Sequence, residues 1–576
     1  IFAFNFLTPD QIAAVKAGTA GDYRAIMQNM INVASAAGMT LVMNAAQWRM
    51  APLPDASPNF GLCLDIPSNT TIRWELGGTL QLLAHNNTIY QMLRVWDRTD
   101  VRLINPPLDG RKDLNSASTG EFGMGIDIRG GNRIRVEYPV TNNTWGDGIY
   151  FGRGATTGVP QGCYILRPDA DACRRQGMSI TTGKNITVES ARWTNIGGTS
   201  PGAGLDIEPD NNTEELIGIR ILNPYTENCA GPGILIALQA FAGVIPKTVD
   251  ITIENHTDDG SVVGYSAGGV NTTTNGLIAT QGTYVVKGKI TTLDPCWKNS
   301  KGAAFLSSEH DVLGPQIQAV RPTVVDCNRS ASAAPSYGSP FVVLRDTGSP
   351  RTYVIGNAQV LEPTVVINSG SIPKTFFYRD NVAASGNVAR ADFVNPRSIV
   401  GVTVNNNGGH YGTGRLSDEY AQLGNDTAST QGNYGNYGAL VAANASVSFD
   451  LSDTLYLAGG PDIIIRQPYA ASCIVRTGGA GNGTGRFRGL GIGQRLQANG
   501  KPGAYLRVRP EGANVFKIIE NVGPWSVLSV SGTTANRPVL TASDVGVGYL
   551  DTTLAAAGKP ITWNGASWVD ATGAVV

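Results

Sequence analysis

Apolar and polar positions alternate in short runs through the first half of the chain, and the runs recur. Gly125-Ile126-Asp127-Ile128, Gly148-Ile149-Tyr150-Phe151, Gly177-Met178-Ser179-Ile180, Gly204-Leu205-Asp206-Ile207 and Gly233-Ile234-Leu235-Ile236 share one pattern. Counted from glycine to glycine, the steps are 23, 29, 27 and 29 residues. The second and fourth positions are apolar, so period-two geometry points them inward and the third position outward. A second set of alternating runs interleaves with the first: Val101-Arg102-Leu103-Ile104, Arg133-Ile134-Arg135-Val136, Asn185-Ile186-Thr187-Val188 and Val249-Asp250-Ile251-Thr252-Ile253. Gly, Asn and Thr fill the corners between them, as tight turns require. A repeat of 20 to 50 residues indicates a solenoid. Two or three short strands per repeat, without helical periodicity, predict a parallel β-helix.

The ends differ from this middle. Thr8-Pro9-Asp10 predicts a capped helix start, and Asp22 opens a second helix with Ile26, Met30, Ile31 and Ala34 on one stripe. Gly38 stops that helix before the strand Thr40-Leu41-Val42-Met43. A helix here covers the open end of the solenoid, whose first coil otherwise exposes unpaired backbone. The expected division is a helical cap at 1–50, a right-handed parallel β-helix at 51–404, a linker and β-sandwich-like domain at 405–525, and a β-hairpin tail at 526–576. Asn564-Gly565 between Trp563 and Trp568 signals the hairpin, and two exposed tryptophans there suggest a surface that pairs with another chain.

Composition narrows the partners. The chain has 71 glycines in 576 residues, where ~7% is usual, and only 15% charged residues, where ~25% is usual. That suits a turn-dense β protein with a neutral polar surface. A net charge of −1 leaves no footprint for nucleic acid or an anionic membrane. No run approaches the ~18 apolar residues of a spanning helix. The seven cysteines are scattered without CxxC spacing and read as buried free thiols, with a Cys163–Cys173 bridge as the lesser alternative. No metal or cofactor is expected. Ile1 is not a natural initiator, so an N-terminal segment is expected to be missing.

Stacking the five glycine-led runs puts Asp127, Tyr150, Ser179, Asp206 and Leu235 in one outward column. Arg129, Gly152, Thr181, Glu208 and Ala237 form the next. Asp206 and Glu208 then lie on one strand face with Cα atoms ~6.6 Å apart. Glycosidic hydrolysis needs a proton donor and a second carboxylate, and this spacing favours the water-activating arrangement. Asp206 and Glu208 are the catalytic candidates, with Asp147 beside them. Tyr150 and Trp145 are candidates for stacking on sugars, and Arg174 and Arg175 for holding an anionic substituent. Asp210, Glu309 and His310 complete the substrate-binding set.

The order of parts resembles a phage tailspike with capsule depolymerase activity. Arg174-Arg175-Gln176-Gly177-Met178-Ser179-Ile180 followed by Gly204-Leu205-Asp206-Ile207-Glu208-Pro209-Asp210 resembles the pectate-lyase-like superfamily. Asp551-Thr552-Thr553-Leu554 and Trp563-Asn564-Gly565 through Trp568-Val569-Asp570-Ala571 resemble tail-fibre and tailspike C-termini. The resemblance implies a right-handed single-stranded parallel β-helix in a homotrimer, bacterial capsular polysaccharide as substrate, and attachment to the phage tail or an adapter through the missing N-terminal segment. It implies a place on the virion and action at the host surface. The paired aspartates and Gly-His-Gly of polygalacturonases are absent, so their mechanism does not transfer. Two alternatives remain open. One is β-elimination on a uronic acid, with Tyr150 or a lysine as base and Asp206, Glu208 and Asp210 on a cation such as Ca²⁺. The other is an adhesin that binds glycan without cutting it.

Overall fold

The structure is a computed structural model. It describes residues 1–270 except 242 and 244, 286–328 except 309 and 311–313, shorter stretches between 341 and 528, and residues 530–537 and 548–576. The chain divides into two compact units, Ile1–Asn381 with Arg397–Thr403, and Val382–Pro396 with Val404–Val576.

Two N-terminal helices form; the second starts at Arg24 rather than Asp22 and buries Met27 where Ile26 was expected. Thr8 and Gln11 make a reciprocal capping box on Pro9–Ala17, and Gly18 ends that helix at φ 68°. In Arg24–Ala36 the buried stripe is Met27, Met30, Ile31 and Ala34. This helix packs on the first coil at Leu41–Met43 and Leu62–Asp65. Gln28 covers the exposed backbone there. Its amide oxygen accepts from Asp65 N and its amide nitrogen donates to Asp65 O, both at 2.8 Å. A side-chain amide thus takes the place of the missing strand.

The solenoid strands fall into three sheets of 13, 12 and 11 members, and each coil contributes to all three. Leu41–Met43, Thr71–Trp74, Thr99–Ile104 and Asn132–Glu137 are stacked in the first sheet. Gln47–Met50, Thr79–Leu82, Pro107–Asp109 and Val140–Asn142 stack in the second. The third stacks Leu62–Asp65, Ile89–Trp96, Phe122–Arg129, Asp147–Gly152, Gln176–Ile180, Leu205–Ile207 and Pro232–Ala237. Neighbours pair in parallel, as in Asp147–Gly152 on Gln176–Ile180. Between the first and second sheets the chain turns on a left-handed residue, usually followed by proline. Asn105, Tyr138, Arg167, Asn223, Asp294 and Arg321 all have φ near 50° there. Asn and Asp tolerate that region through local hydrogen bonds, and a following proline keeps the next strand from continuing the turn.

The repeating glycines lie in or directly before strands of the third sheet, where neighbouring coils pack too closely for a side chain. A Cβ on Gly177 would lie 2.4 Å from Trp193 Cδ1 and 2.6 Å from Gly204 O. On Gly148 it would meet Gly177 O and Thr141 Oγ1 at 2.5 Å. Trp193 and Thr141 are fully buried, so the glycine position faces the interior. The residue after it is buried too: Ile149, Met178 and Leu205. Two successive inward positions break the alternation, and the residue before each glycine is left on the outer face. Gly177→Ala is expected to destabilise the chain by about 3 kcal/mol, because rigid backbone and an interior indole must both move. A denaturation midpoint unchanged within error would refute this.

Six of the seven cysteines are described and all six are free, five of them buried. Inside the solenoid Trp297 Nε1 donates to His256 Nδ1 at 3.1 Å, and His256 Nε2 meets Thr226 Oγ1 at 2.8 Å. Thr226 in turn donates to Asp258 Oδ1 at 2.7 Å.

The second unit carries mixed sheets of five and four strands. The last sheet joins Val530–Gly532, Gly548–Asp551, Lys559–Trp563 and Trp568–Asp570. Asn564 N donates to Ser567 O at 3.0 Å, so the hairpin loop runs from Asn564 to Ser567 and is longer than a two-residue Asn-Gly turn. The expectation of two exposed tryptophans fails. Trp568 is buried against Tyr549 and Trp563, because this small sheet needs its own core.

Candidate active site on the third sheet

The outer column predicted from sequence is present in register. Tyr150 lies opposite Asp127 and Ser179, and Asp206 lies opposite Ser179 and Leu235. The outer face is not bare. Loops stand along its edge: Asp97 accepts from Thr157 N at 2.8 Å and from Thr157 Oγ1 at 2.6 Å, pinning the loop after Gly152. Arg153 pairs with Glu214 at 3.1 Å, and Asn212 Oδ1 accepts from Ile245 N at 2.8 Å.

Asp206 sits at the bottom of this face and is only 2% exposed, against the expectation of a solvated carboxylate. Its Oδ2 accepts from Gln176 Nε2 at 2.8 Å. Its Oδ1 is buried and receives no N–H or O–H donor. The half-buried Glu208 follows two residues on, close enough for its charge to act on Asp206. A buried carboxyl oxygen without a donor is accommodated when the acid keeps its proton. Burial raises Asp206 well above the ordinary carboxylate range, the neighbouring Glu208 charge adds to this, and Arg175 opposes it. Glu208 is also raised, chiefly by burial, with Arg175 opposing and Asp210 reinforcing.

Asp147 is fully buried behind this pair. It accepts from Ser179 Oγ at 2.7 Å and from Arg175 Nη1 at 3.2 Å. Burial lifts it to about 6 in spite of Arg175. Gln239 Nε2 reaches Glu208 Oε1 at 3.4 Å from the next coil.

Several expected substrate contacts have other partners. Tyr150 is 5% exposed, its ring covered by the Arg129 guanidinium at 4.9 Å, and its hydroxyl donates to Asp210 Oδ2 at 3.4 Å. It is part of the floor and has no free ring face for a sugar. Arg174 lies flat on Trp145 at 4.1 Å and donates to Gly120 O at 2.7 Å and Trp145 O at 3.3 Å. It braces a loop, and it covers one face of the half-buried Trp145. Arg175 donates through Nη1 to Asp147 at 3.2 Å and lies 3.5 Å from Glu121, so its charge is already matched by two acids. His310 is fully buried, with Nε2 2.7 Å from Pro315 O, and cannot touch a polymer. Glu309 lies outside the described residues. Asp210 is exposed, as the binding role requires.

Sequence reasoning missed Gln176 and Ser179 as partners of the acids, and the Trp96–Arg129–Tyr150 stack beside them. Gln176 occupies the same pre-glycine position as Asp147. Asp147 was singled out at that position, and Gln176, one coil on, was not.

A separate hollow of about 490 Å³ borders the second sheet, lined by Glu75, Leu76, Asp109, Tyr138 and Asn142 among others. Its acids are occupied by turn donors: Ala45 N on Glu75 at 3.0 Å, and Arg111 N on Asp109 at 3.1 Å.

No known protein family and no curated protein matches the sequence. Solved structures do. The tailspike protein of E. coli bacteriophage HK620, solved as a mutant with a hexasaccharide, aligns at a TM-score of 0.53 and 10% identity over 87% of this chain and 84% of that one. The pre-mature bacteriophage phi29 gene product 12 aligns at 0.52 and 12% identity, over 82% of this chain and 56% of that one. The A-module of the Azotobacter vinelandii mannuronan C-5 epimerase AlgE4 aligns at 0.40 and 12% identity, over 70% and 99%. The chain therefore has the parallel β-helix fold of phage tailspikes.

Proposed function

We propose that this chain is a virion tailspike that binds bacterial surface polysaccharide and hydrolyses it, acting as a homotrimer carried on the phage tail. The observation that carries the reading is the buried Asp206 beside the half-buried Glu208 on the outer face of the third sheet, both raised above the ordinary carboxylate range. A carboxyl that stays protonated near neutrality is the group a glycosidic leaving oxygen requires. Asp206 holds the proton in the floor and Glu208 presents it to the groove. Once the proton leaves, the pair's negative charge faces the developing oxocarbenium ion. Asp210, exposed and oriented by Tyr150, is the carboxylate assigned to the attacking water. Asp147, Ser179 and Gln176 hold the pair in place.

Elimination is less well supported. Burial and the nearby Asp210 both raise the Tyr150 hydroxyl, which makes it a poor base near neutrality. Asp206, Glu208 and Asp210 do not converge into a cation cradle among the described residues. The deciding experiment is digestion of a bound polysaccharide in ¹⁸O water. One ¹⁸O per new reducing end is expected. An unlabelled product lighter by one water overturns hydrolysis in favour of elimination, and a bound but intact polymer leaves an adhesin.

A further inference from the structure

The charge balance of the groove points to its substrate. Arg94 and Arg98 are both paired with Asp65, at 3.2 and 2.8 Å. Arg129 is paired with Asp127 at 2.9 Å, and Arg175 with Asp147 and Glu121. Arg153 is paired with Glu214. Among the described residues Arg174 has no acid partner, but it donates to two backbone carbonyls and lies against an indole. The surplus at the centre is negative. Asp210 and the charge of Asp206 and Glu208 are met by neutral donors, the Tyr150 hydroxyl and the Gln176 and Gln239 amides, and by Arg175, whose charge is already matched by Asp147 and Glu121. On the coil beyond the pair, Leu235 and Ala237 are half-exposed and offer an apolar step.

We infer that the glycan cut here is uncharged in the units that flank the scissile bond. This rests on the reading of the groove as a glycan-cleaving site. A uronate, sialate or phosphate in those units would set a second anion beside Asp210 and the acid pair, with each neighbouring arginine already held by an acid or stacked. Like charges brought together in a partly desolvated groove oppose binding, and this discriminates against acidic polymers. An uncharged sugar asks only for hydroxyl and amide partners and an apolar ring face, which Gln239, Leu235 and Ala237 provide.

The test uses the full chain on a panel of purified polysaccharides. Neutral bacterial O-polysaccharides are set against polygalacturonate, alginate and polysialic acid, and against the carboxyl-reduced forms of the first two. Bound polymer and new reducing ends are both read. Binding and cleavage are expected only among uncharged polymers, with kcat/KM at least 100-fold above that for acidic ones. For a polymer that is cut, kcat/KM is expected to change less than about twofold between 20 and 300 mM salt, since no ion pair with substrate is screened. Cleavage of an acidic polymer that is lost on carboxyl reduction overturns the inference while hydrolysis stands. Neutral polymer that is bound and never cut overturns the enzymatic reading and leaves the charge preference intact. A panel in which nothing binds refutes both.

Discussion

Asp206→Asn is expected to lower turnover on the cleaved polysaccharide by at least ~10³-fold while changing binding only a few-fold, because the loss falls on proton delivery in the transition state. Glu208→Gln is expected to do the same from the other acid of the pair. The two losses should not add in the double variant, since either change alone dismantles the pair. The pH dependence gives a second reading. Both acids are raised, so the parent loses activity as pH climbs and the pair surrenders its proton. The residual activity of Asp206→Asn should lack that limb. Stability separates chemistry from unfolding. A carboxyl raised by burial contributes stability below the ordinary carboxylate range and loses it as pH rises. Asp206→Asn should therefore be no less stable than the parent at neutral pH. Turnover above a tenth of the parent's in both single variants would remove the pair from the mechanism.

The second large effect lies inside the solenoid. Asp258 is fully buried, accepts from Thr226 Oγ1 at 2.7 Å and Ser300 Oγ at 3.2 Å, and is pushed from 3.8 to about 7 by burial, against its hydrogen bonds. The folded chain therefore binds this proton more tightly than the unfolded chain. The stabilisation is complete below about pH 4 and lost progressively as pH rises to about 7. A shift of this size corresponds to up to about 4 kcal/mol. Asp258→Asn keeps the shape and cannot ionise. Its stability relative to the parent should grow from pH 4 to pH 7 and then level off, measured as unfolding free energy at each pH. His256 acts with the opposite sign. Burial lowers it to about 3, so it costs stability as pH falls below its ordinary value. That term is common to parent and variant and leaves the difference unaffected. A difference flat in pH would mean that Asp258 is ionised in the folded chain throughout.

Much of the architecture was legible because a solenoid repeats a local rule. The glycine-led runs placed Asp127, Tyr150, Ser179, Asp206 and Leu235 in one column, and the sheet registers agree residue for residue. The helix start at Thr8 follows from capping chemistry, since Thr8 accepts from Gln11 N; the second helix starts two residues after Asp22, at Arg24, with Tyr23 as a cap that makes no side-chain bond. The site was only partly legible. Its nearest contacts depend on which way the pre-glycine residue points, and that is decided by Trp193 and Thr141 filling the space a Cβ would need. The aromatics were assigned to sugars because they lie on the outer face. Arg129 over Tyr150 and Arg174 over Trp145 come from other coils or adjoining corners, and alternation along one strand cannot register them.

Taken alone, the order of residues determined the coil, its outward columns, the helical cover at its start and the presence of two acids two residues apart. These follow from period-two sterics and from turn and cap chemistry, which act over a few residues. Only the tertiary structure decided that Asp206 is dry and Glu208 half-wet, that Gln176 rather than solvent holds the inner acid, and that most of the nearby arginines are already matched. Burial and charge pairing are sums over neighbouring coils some thirty residues apart in the chain, and a local pattern does not contain them.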